Sequence, residues 1–402
     1  MKSNAIALAE EFGARNYAPL PVVITKAQGC WAEDENKKKY FDCLSAYSAL
    51  NHGHRHKRIV AAAKKQLDLL TLTSRAFHNN LLGEFMKELV LVSGLEKALP
   101  MNSGAEAVET AIKAARKWGY SVKGIEDGKA VIIACKNNFH GRTTTIVGFS
   151  SEEQYKKGFG PFCNGFKLID FNDVDALEKA IDKNTVGFLL EPVQGEGGII
   201  FPSDGYLKKV RKICSEKNVL LILDEIQTGF GRTGKMFAFQ HENIKPDILI
   251  VGKALGGGII PVSAMISSAE VMNVFQPGDH GSTFGGNPVA CAVGIESIKV
   301  IQEESLCEKS RINGEYFLSQ LKKINSVSIK EIRGKGLFIG IEIKKEISTA
   351  KPFCLQLLGK GVLCKETHEQ VIRLAPPLIA SKQELDWVIK RIREVFESPN
   401  KI

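Results

Sequence analysis

A single lysine follows one of the most apolar runs of the chain. Lys253 stands just after Ile248–Val251 and shortly before three consecutive glycines at residues 256–258. A buried ammonium group loses its hydration at a cost of several kcal/mol unless another group compensates its charge. Lys253 therefore either caps a strand and extends its amine to water, or it is a functional amine that neighbouring glycines leave uncrowded.

Two acids end another apolar run. Asp224 and Glu225 close the sequence VLLILDE, which has the length and composition of a buried strand. Open α/β sheets hold their ligands at the carboxyl ends of the strands, where a carboxylate can bind a cationic heterocycle. The alternative is a helix N-cap or a surface acid.

The segment MNSGAEAVETAIKAARKW predicts a helix that begins at a ligand-binding end. Ser103 and Glu106 have the spacing of a capping box, and Gly104 permits close approach of a ligand to the backbone. The free N–H groups of such a helix end bind phosphate. Many capping boxes hold no ligand, so a purely structural role remains open here.

Two further patterns resemble binding motifs but lack essential parts. Residues 229–234, GFGRTG, match G-x-G-x-x-G, yet Met236 stands where a P-loop needs a hydroxyl for magnesium. His52, His54 and His56 alternate without the carboxylates or cysteine pairs that complete a metal site. We therefore expect neither a nucleotide-binding loop nor a metal centre.

Isolated polar residues form the last set of candidates. They are Arg142, Glu196, Thr283 and Arg373. Two guanidinium forks beside one pocket would suit a dicarboxylate, whereas each arginine alone is equally compatible with a surface position or a structural ion pair.

The composition excludes several classes of protein. The 402 residues are 44% hydrophobic and 25% charged, as in globular proteins, and the net charge of +9 is spread along the chain rather than gathered in a basic block. Nucleic acid is therefore an unexpected partner.

No apolar run reaches the roughly 18 residues of a membrane span, and the acidic residues near the start are atypical of a targeting peptide. Together these two features predict a cytoplasmic protein. The nine cysteines form no C-x-x-C pair and are expected to be reduced.

The elements that must position these residues follow an α/β order. The runs KAVIIAC, TVGFLLEP, VLLILDE and DILIVGK alternate with helical patterns, which predicts a mainly parallel sheet covered by helices. A long helical stretch after about residue 290 leads to shorter strands and an amphipathic helix over residues 383–396. The predicted domains are a large domain at 51–290 and a smaller α+β domain at 291–402, with residues 1–50 packing on the latter.

Taken together, these segments resemble the class III, fold type I aminotransferases that use pyridoxal 5′-phosphate, and most closely the group that acts on ornithine. The likeness runs from about Gly13 to the C-terminal helix. Its marks are RNYAPLPV, SAYSALNHGH, LTSRAF, MNSGAEAVETAIKAARKWGY, GRT, EPVQGE, DEIQTGFGRTGK, VGKALGGG, HGSTFGGNP, RGKGL and IRLAPPL.

This resemblance implies a catalytic and cofactor-binding set. Lys253 is expected to form the imine with the cofactor, and Asp224 to keep the pyridine nitrogen protonated so that the ring accepts electrons. Gln227 would contact the ring hydroxyl, and Phe139 would stack on the ring. The remaining expected cofactor-binding residues are Ser103, Gly104, Ala105, His140, Ser282 and Thr283. Because Thr283 reaches the phosphate of the neighbouring subunit in this family, the resemblance also implies a homodimer with shared active sites.

The resemblance further implies how an amino acid and a 2-oxo acid are told apart. Arg142 would hold the α-carboxylate of ornithine, and Arg373 that of 2-oxoglutarate. Glu196 would cover Arg373 while ornithine reacts, because a free Arg373 would attract the amino acid carboxylate and deliver the wrong amine. Tyr17 and Tyr47 match the tyrosines that contact the α-amino end and the chain of the substrate.

The expected reaction transfers the δ-amino group of L-ornithine to 2-oxoglutarate, a step between arginine metabolism and proline biosynthesis. Two departures bear on the substrate: FHGRT, with His140 in place of the usual tryptophan, and QGEGG in place of QGEAG. N-acetylornithine and 4-aminobutyrate therefore remain alternative substrates, and a P-loop nucleotide-binding protein is the alternative from another class.

Overall fold

The computed structural model describes residues 3–397, and its strands form three sheets. In chain order the strands are β1 (Ile24–Gln28), β2 (Trp31–Asp34), β3 (Lys39–Asp42), β4 (Lys97–Met101), β5 (Val131–Cys135), β6 (Phe166–Ile169), β7 (Thr185–Leu190), β8 (Leu220–Asp224), β9 (Ile248–Val251), β10 (Ser263–Ser267), β11 (Ile329–Lys335), β12 (Phe338–Ile343), β13 (Val362–Leu363), β14 (Lys365–Thr367) and β15 (Val371–Leu374). The largest sheet has the order β4-β10-β9-β8-β7-β5-β6, and β10 runs antiparallel to both of its neighbours.

Helices connect and cover these strands. They are α1 (Asn4–Phe12), α2 (Ser45–Ser48), α3 (Lys57–Leu67), α4 (Leu82–Ser93), α5 (Gly104–Ser121), α6 (Thr144–Gly148), α7 (Glu153–Lys156), α8 (Val174–Ala180), α9 (Tyr206–Glu216), α10 (Ala269–Met272), α11 (Pro288–Glu303), α12 (Leu306–Leu321), α13 (Ala350–Gly359) and α14 (Lys382–Phe396). Short 3₁₀ turns lie at Ala238–Glu242 and Lys253–Gly256.

The central strands are apolar on both faces because the sheet lies between two cores. Along β8, Leu221 packs into one hydrophobic cluster and Ile222 into the other, and Leu249 and Ile250 of β9 alternate in the same way. Helix α5 covers one face and α9 packs against β8 on the other. The four strands predicted from their apolar runs are confirmed, and their continuous hydrophobicity follows from this double burial.

Two smaller sheets are built from strands before residue 43 and after residue 328. One has the order β11-β12-β15-β14 and is antiparallel, and the other has the order β1-β2-β3-β13. Strands β2 and β3 form an antiparallel hairpin. Strand β3 pairs in parallel with β13, so an N-terminal strand completes a sheet with a C-terminal one. We propose the division into 1–50, 51–290 and 291–402, of which residues 1–2 and 398–402 lie outside the described part.

The long helical stretch predicted after about residue 290 is confirmed as α11, which ends at Glu303, and α12 begins at Leu306. Ser305 between them has φ 54°, a left-handed conformation that interrupts the helical hydrogen bonds. Across residues 3–397, helices that combine the length and the apolar character of a bilayer span are absent.

Candidate active site

The predicted residues meet at the carboxyl ends of the parallel strands, where a cavity of about 200 Å³ opens. Asp224 ends β8, and Lys253 follows β9. The lining residues are Gly104, Ala105, Phe139, His140, Gly141, Glu191, Val193, Glu196, Asp224, Ile226, Gln227, Thr228 and Lys253. The loops that follow neighbouring parallel strands thus place residues distant in sequence around one space.

Lys253 is held in a strained backbone conformation beside this cavity. Its φ is 44°, which a residue with a side chain seldom adopts. Burial lowers the pKa of its amine below the usual value, while the negative charges of Glu196 and Asp224 act in the opposite direction. The amine therefore loses a proton more readily than a surface lysine, as nucleophilic and proton-transferring amines require.

Asp224 is oriented by two hydrogen bonds. Its Oδ2 lies 2.7 Å from Nδ1 of His140, and its Oδ1 accepts the backbone N–H of Ile226 at 3.0 Å. His140 and Asp224 are both buried. Burial alone would lower the pKa of His140, but the hydrogen bond to Asp224 and its charge outweigh burial, so the pKa is raised. The carboxylate is fixed at the cavity wall and cannot rotate away without losing both partners.

The N-terminus of α5 lies at the same edge, and its predicted capping box is present. Ser103 Oγ accepts the N–H of Glu106, and Glu106 Oε2 accepts the N–H of Ser103 at 2.6 Å. A Cβ at Gly104 would lie 2.9 Å from Ile226, so the glycine allows the helix end to approach β8. A second cavity of about 490 Å³ shares Gly104 and Lys253 with the first.

Glu196 and Arg373 form an ion pair at the mouth of the cavity. Arg373 Nη1 donates to Glu196 Oε1 at 2.7 Å, and Gln227 Nε2 donates to the same oxygen at 3.2 Å. Burial would raise the pKa of Glu196, but the charge and hydrogen bond of Arg373 lower it to about 2. The guanidinium of Arg373 also lies 5.3 Å from the ring centroid of Tyr47.

Tyr47 belongs to an unusual turn. In α2 the residues Ser45, Ala46, Tyr47 and Ser48 have φ of 49°, 46°, 60° and 72°. Four successive residues with side chains in the left-handed region represent stored strain, a feature that clusters at ligand sites. This turn presents the half-buried Tyr47 ring to Arg373.

The second arginine of the predicted pair has different surroundings. Arg142 is exposed, and its guanidinium carbon lies 5.4 Å from the ring centroid of Phe139 and 3.7 Å from that of Tyr155. Of the two arginines, Arg373 is neutralised by a carboxylate, whereas the contacts of Arg142 are with aromatic faces. Arg373 must therefore lose its partner Glu196 before it can bind a second carboxylate, whereas within residues 3–397 Arg142 has no carboxylate to displace.

A comparison with protein families agrees with this geometry: the Aminotransferase class-III family matches residues 12–396. The chain belongs to the class-III aminotransferases. It is 57% identical over 387 residues to the ornithine aminotransferase of Brevibacillus brevis, with 96% of each chain covered. It is 56% identical over 392 residues to ornithine aminotransferase 2 of Staphylococcus aureus, with 98% of each covered.

Solved structures of this aminotransferase family share the fold. The ornithine aminotransferase from Toxoplasma gondii has a TM-score of 0.97 at 43% identity and covers 99% of this chain and 94% of its own. The acetylornithine aminotransferase from Elizabethkingia anophelis has a TM-score of 0.89 at 45% identity, with 98% of each chain covered. The fold is therefore the type I fold that the sequence predicts.

Seven predicted residues of the aminotransferase are not among those that line the 200 Å³ cavity: Ser103, which lines the second cavity, Tyr47, Arg142 and Arg373, described above, and Ser282, Thr283 and Tyr17. Ser282 Oγ accepts Asn102 Nδ2 at 2.9 Å, which ties its loop to the residues before α5, and Thr283 is exposed. Tyr17 is 77% exposed. The carbonyl of the next residue, Ala18, accepts Lys365 Nζ at 3.0 Å, and Lys365 is paired with Arg373 in the sheet. Tyr17 is thereby anchored near the Arg373 strand.

Glu191 is the main cavity residue that sequence reasoning missed. It follows β7 and accepts the N–H of Phe139 at 3.1 Å and of Gly195 at 3.4 Å. Burial raises its pKa to about 7. Its position in EPVQGE at the end of an apolar run was the available signal, the same one that identified Asp224.

The two incomplete motifs are structural. In the glycine-rich loop Arg232 is fully buried and donates to the carbonyls of Leu337 and Pro376, so the loop joins the two halves of the chain. The three histidines diverge: His52 contacts the carbonyl of Ser297, His54 pairs with Asp42, and His56 with Glu304. Within residues 3–397, groups of three or more side chains suited to hold a metal are absent.

Proposed function

We propose that the chain is an ornithine δ-aminotransferase, which converts L-ornithine and 2-oxoglutarate into glutamate and glutamate 5-semialdehyde, the open form of pyrroline-5-carboxylate. The observation that carries this proposal is the Glu196–Arg373 pair at 2.7 Å beside Lys253. A carboxylate that neutralises one arginine leaves Arg142 to bind the α-carboxylate of ornithine, so the distal amine points into the cavity. The names of the relatives from Brevibacillus brevis and Staphylococcus aureus support the same reaction.

The proposed cofactor is pyridoxal 5′-phosphate, and the cavity suits it. Gln227 Oε1 and His140 Nε2 are buried atoms of the lining that have no hydrogen-bond partner within residues 3–397. When bound, the cofactor supplies an electron-withdrawing ring and an aldehyde carbon for the amine of Lys253. The related Toxoplasma gondii structure has PLP at partial occupancy in its active site.

The chain's own residues would hold this group at three points. The first is Asp224, which His140 orients and whose negative charge would keep the ring nitrogen protonated. The second is the N-terminus of α5, where Ser103, Gly104 and Ala105 present backbone N–H groups to the phosphate. The third is the aromatic face of Phe139, whose backbone N–H is held by Glu191.

Lys253 is the proposed proton carrier. Its lowered pKa allows Nζ to accept a proton from the substrate carbon and to return it to the neighbouring position. Because Glu196 lies close enough for its charge to act on Lys253, displacement of Glu196 also changes the proton affinity of the amine. Substrate choice and proton transfer are thereby linked.

A homodimer with shared sites completes the proposal. Ser282 and Thr283 lie on a loop outside the cavity, and Thr283 and Phe284 are exposed, the latter by 56%. A neighbouring subunit that accepts this loop would receive the hydroxyl of Thr283 at its phosphate. We also propose a cytoplasmic location and a role between arginine metabolism and proline biosynthesis.

N-acetylornithine is the second candidate substrate, since the Elizabethkingia anophelis acetylornithine enzyme is 45% identical. A side-by-side assay of the purified enzyme with ornithine, N-acetylornithine and 4-aminobutyrate, each with 2-oxoglutarate, separates the candidates. We expect the highest kcat/KM for ornithine, with pyrroline-5-carboxylate as product. A higher value for N-acetylornithine would replace the proposed substrate while leaving the reaction type intact.

A further inference from the structure

The closest cation–ring contact in the site joins Arg142 to a residue that no motif identified. The guanidinium carbon of Arg142 lies 3.7 Å from the ring centroid of Tyr155, which is the third residue of the four-residue helix α7. At this distance the guanidinium is in van der Waals contact with the ring face. Tyr155 in turn contacts Phe139 edge to face, with centroids 6.2 Å apart.

Stacking on a ring leaves the hydrogen-bonding edge of a guanidinium free. All five N–H donors of arginine lie in the guanidinium plane, so a ring that covers the face takes none of them away from a carboxylate. A salt bridge would instead use up donors, as Glu196 does for Arg373. Tyr155 thus contacts Arg142 mainly through its ring face; its phenol oxygen is also within hydrogen-bonding reach of the guanidinium, and the other donors are left for a carboxylate.

The segment that carries Tyr155 is anchored to the cavity wall. Ser151 Oγ accepts the N–H of Asn137 at 2.7 Å, and Asn138 Nδ2 donates to the carbonyl of Phe149 at 3.1 Å. Both contacts join the chain around α7 to the loop that precedes Phe139. These hydrogen bonds tie the segment of Tyr155 to the segment of Phe139.

We propose that Tyr155 is a positioning residue, which holds the guanidinium of Arg142 at the orientation that binds the α-carboxylate of ornithine. This inference rests on the proposed ornithine δ-aminotransferase function and adds a specificity element to it. Tyr155 acts only through Arg142, so it serves the binding of ornithine and not the chemical step.

The ionisation of Tyr155 is consistent with this role. Burial raises the pKa of its phenol, and although the charge of Arg142 acts in the opposite direction, the net shift is upward. The phenol is therefore neutral near pH 7, and it contacts Arg142 through its π face and through a hydrogen bond to the hydroxyl oxygen. A phenylalanine at this position should preserve the ring contact and lose the hydrogen bond.

The test follows the single-turnover half-reaction of the pyridoxal phosphate-loaded enzyme with ornithine by the change in cofactor absorbance, and it separates the half-saturating concentration of ornithine from the limiting rate. Tyr155→Leu and Tyr155→Met remove the ring, and Tyr155→Phe keeps it. The matched control is Tyr316→Leu, which removes a tyrosine from beneath Lys382, 4.5 Å away, on the surface of the small domain. Either of the two ring-free variants suffices if the other is insoluble.

We expect the ring-free variants to need about tenfold more ornithine for half-maximal rate, with the limiting rate at saturating ornithine within about twofold of wild type. Tyr316→Leu should match wild type in both quantities, and Tyr155→Phe should recover most of the affinity for ornithine. A tenfold or greater loss in the limiting rate, or an unchanged half-saturating concentration, would overturn the positioning role while leaving the proposed function standing. A wild-type enzyme that reacts with glutamate but not with ornithine would overturn the proposed function and this inference with it.

Discussion

Glu196 and Arg373 form an ion pair, but they differ in solvent exposure: the side chain of Arg373 is 1% exposed and that of Glu196 is 28% exposed. Arg373 lies within β15, whereas Glu196 is on a loop. The acid is therefore the partner that can move, and the arginine is the fixed one. Opening the pair uncovers a buried guanidinium for a second carboxylate, at the cost of breaking a charged hydrogen bond.

The first prediction concerns this pair. Glu196→Ala leaves Arg373 permanently open, so that α-carboxylates of amino acids bind there and present the α-amine to the cavity. We expect the ratio of glutamate to ornithine half-reaction rates to rise about tenfold. Glu178→Ala, at an exposed acid of α8, serves as the control. An unaltered ratio in Glu196→Ala would remove the selecting role of the acid.

The second prediction concerns the other arginine. Arg142→Ala removes the guanidinium fork assigned to the α-carboxylate of ornithine. It should lower kcat/KM for ornithine by a factor that corresponds to a loss of about 2 to 5 kcal/mol of transition-state stabilisation. Arg142→Lys keeps the charge but not the planar fork, and we expect it to recover only part of the loss. Steady-state kinetics measure both. A wild-type kcat/KM in Arg142→Ala would exclude the residue from the substrate site.

The third prediction uses the capping boxes at the starts of α5 and α14. Ser103→Ala and Ser381→Ala each remove an N-cap hydroxyl, from α5 and α14, and each should lower the free energy of unfolding by about 1 kcal/mol. Since α5 carries the proposed phosphate site, Ser103→Ala alone should also weaken pyridoxal phosphate binding, measured by titration of the apoenzyme. Equal cofactor affinity in the two variants would argue against a phosphate at this helix end.

The fourth prediction addresses Lys253. Borohydride reduction of the wild-type enzyme with pyridoxal phosphate should fix the cofactor on the peptide that contains Lys253, as read by mass spectrometry. Lys253→Arg keeps a positive charge but lacks an amine that can condense, so we expect no adduct and no transaminase activity. A label found on another lysine of the wild-type enzyme would reassign the catalytic amine.

The fifth prediction concerns acid stability. Burial lowers the pKa of His52 from 6.5 to about 4, because a second ring proton would lie in an apolar space. Between these pH values the unfolded chain binds a proton that the native chain does not. The free energy of unfolding therefore falls as the pH drops from 6.5 to 4, by about 2 to 3 kcal/mol from this residue.

The variant His52→Gln keeps a donor for the carbonyl of Ser297 but cannot take up the proton. Its thermal midpoint should change less between pH 7 and pH 5 than that of wild type, and His78→Gln, at an exposed histidine, should behave as wild type. Parallel pH profiles for wild type and His52→Gln would show that another group controls acid unfolding.

The sequence predicted those parts of the site whose structure depends on residues close together in the chain. The strand before Asp224 and the capping box at Ser103 each depend on a few consecutive residues, and both are confirmed. The apolar strand that ends just before Lys253 is likewise local, and it explains why burial lowers the pKa of that amine. These features depend on residues within a few positions of each other.

The features that were missed depend on contacts between distant segments. Glu191 becomes a cavity residue only because its strand lies beside β8, and Tyr155 reaches Arg142 only through the folding of the loop after β5. The left-handed turn at Ser45–Ser48 contains no glycine, so its sequence does not predict it. Tertiary contacts that hold an unfavourable backbone are invisible in a single sequence.

The pairing of β3 with β13 has a consequence for biosynthesis. Next to this pairing, Lys38 donates to the carbonyl of Leu358, 320 positions later in the chain. At the usual pace of translation the ribosome needs about 15 to 60 s to add so many residues. Throughout that interval β3 lacks the strand β13 with which it pairs in the native fold. The edge of the hairpin at residues 31–42 is then a site that a chaperone could bind.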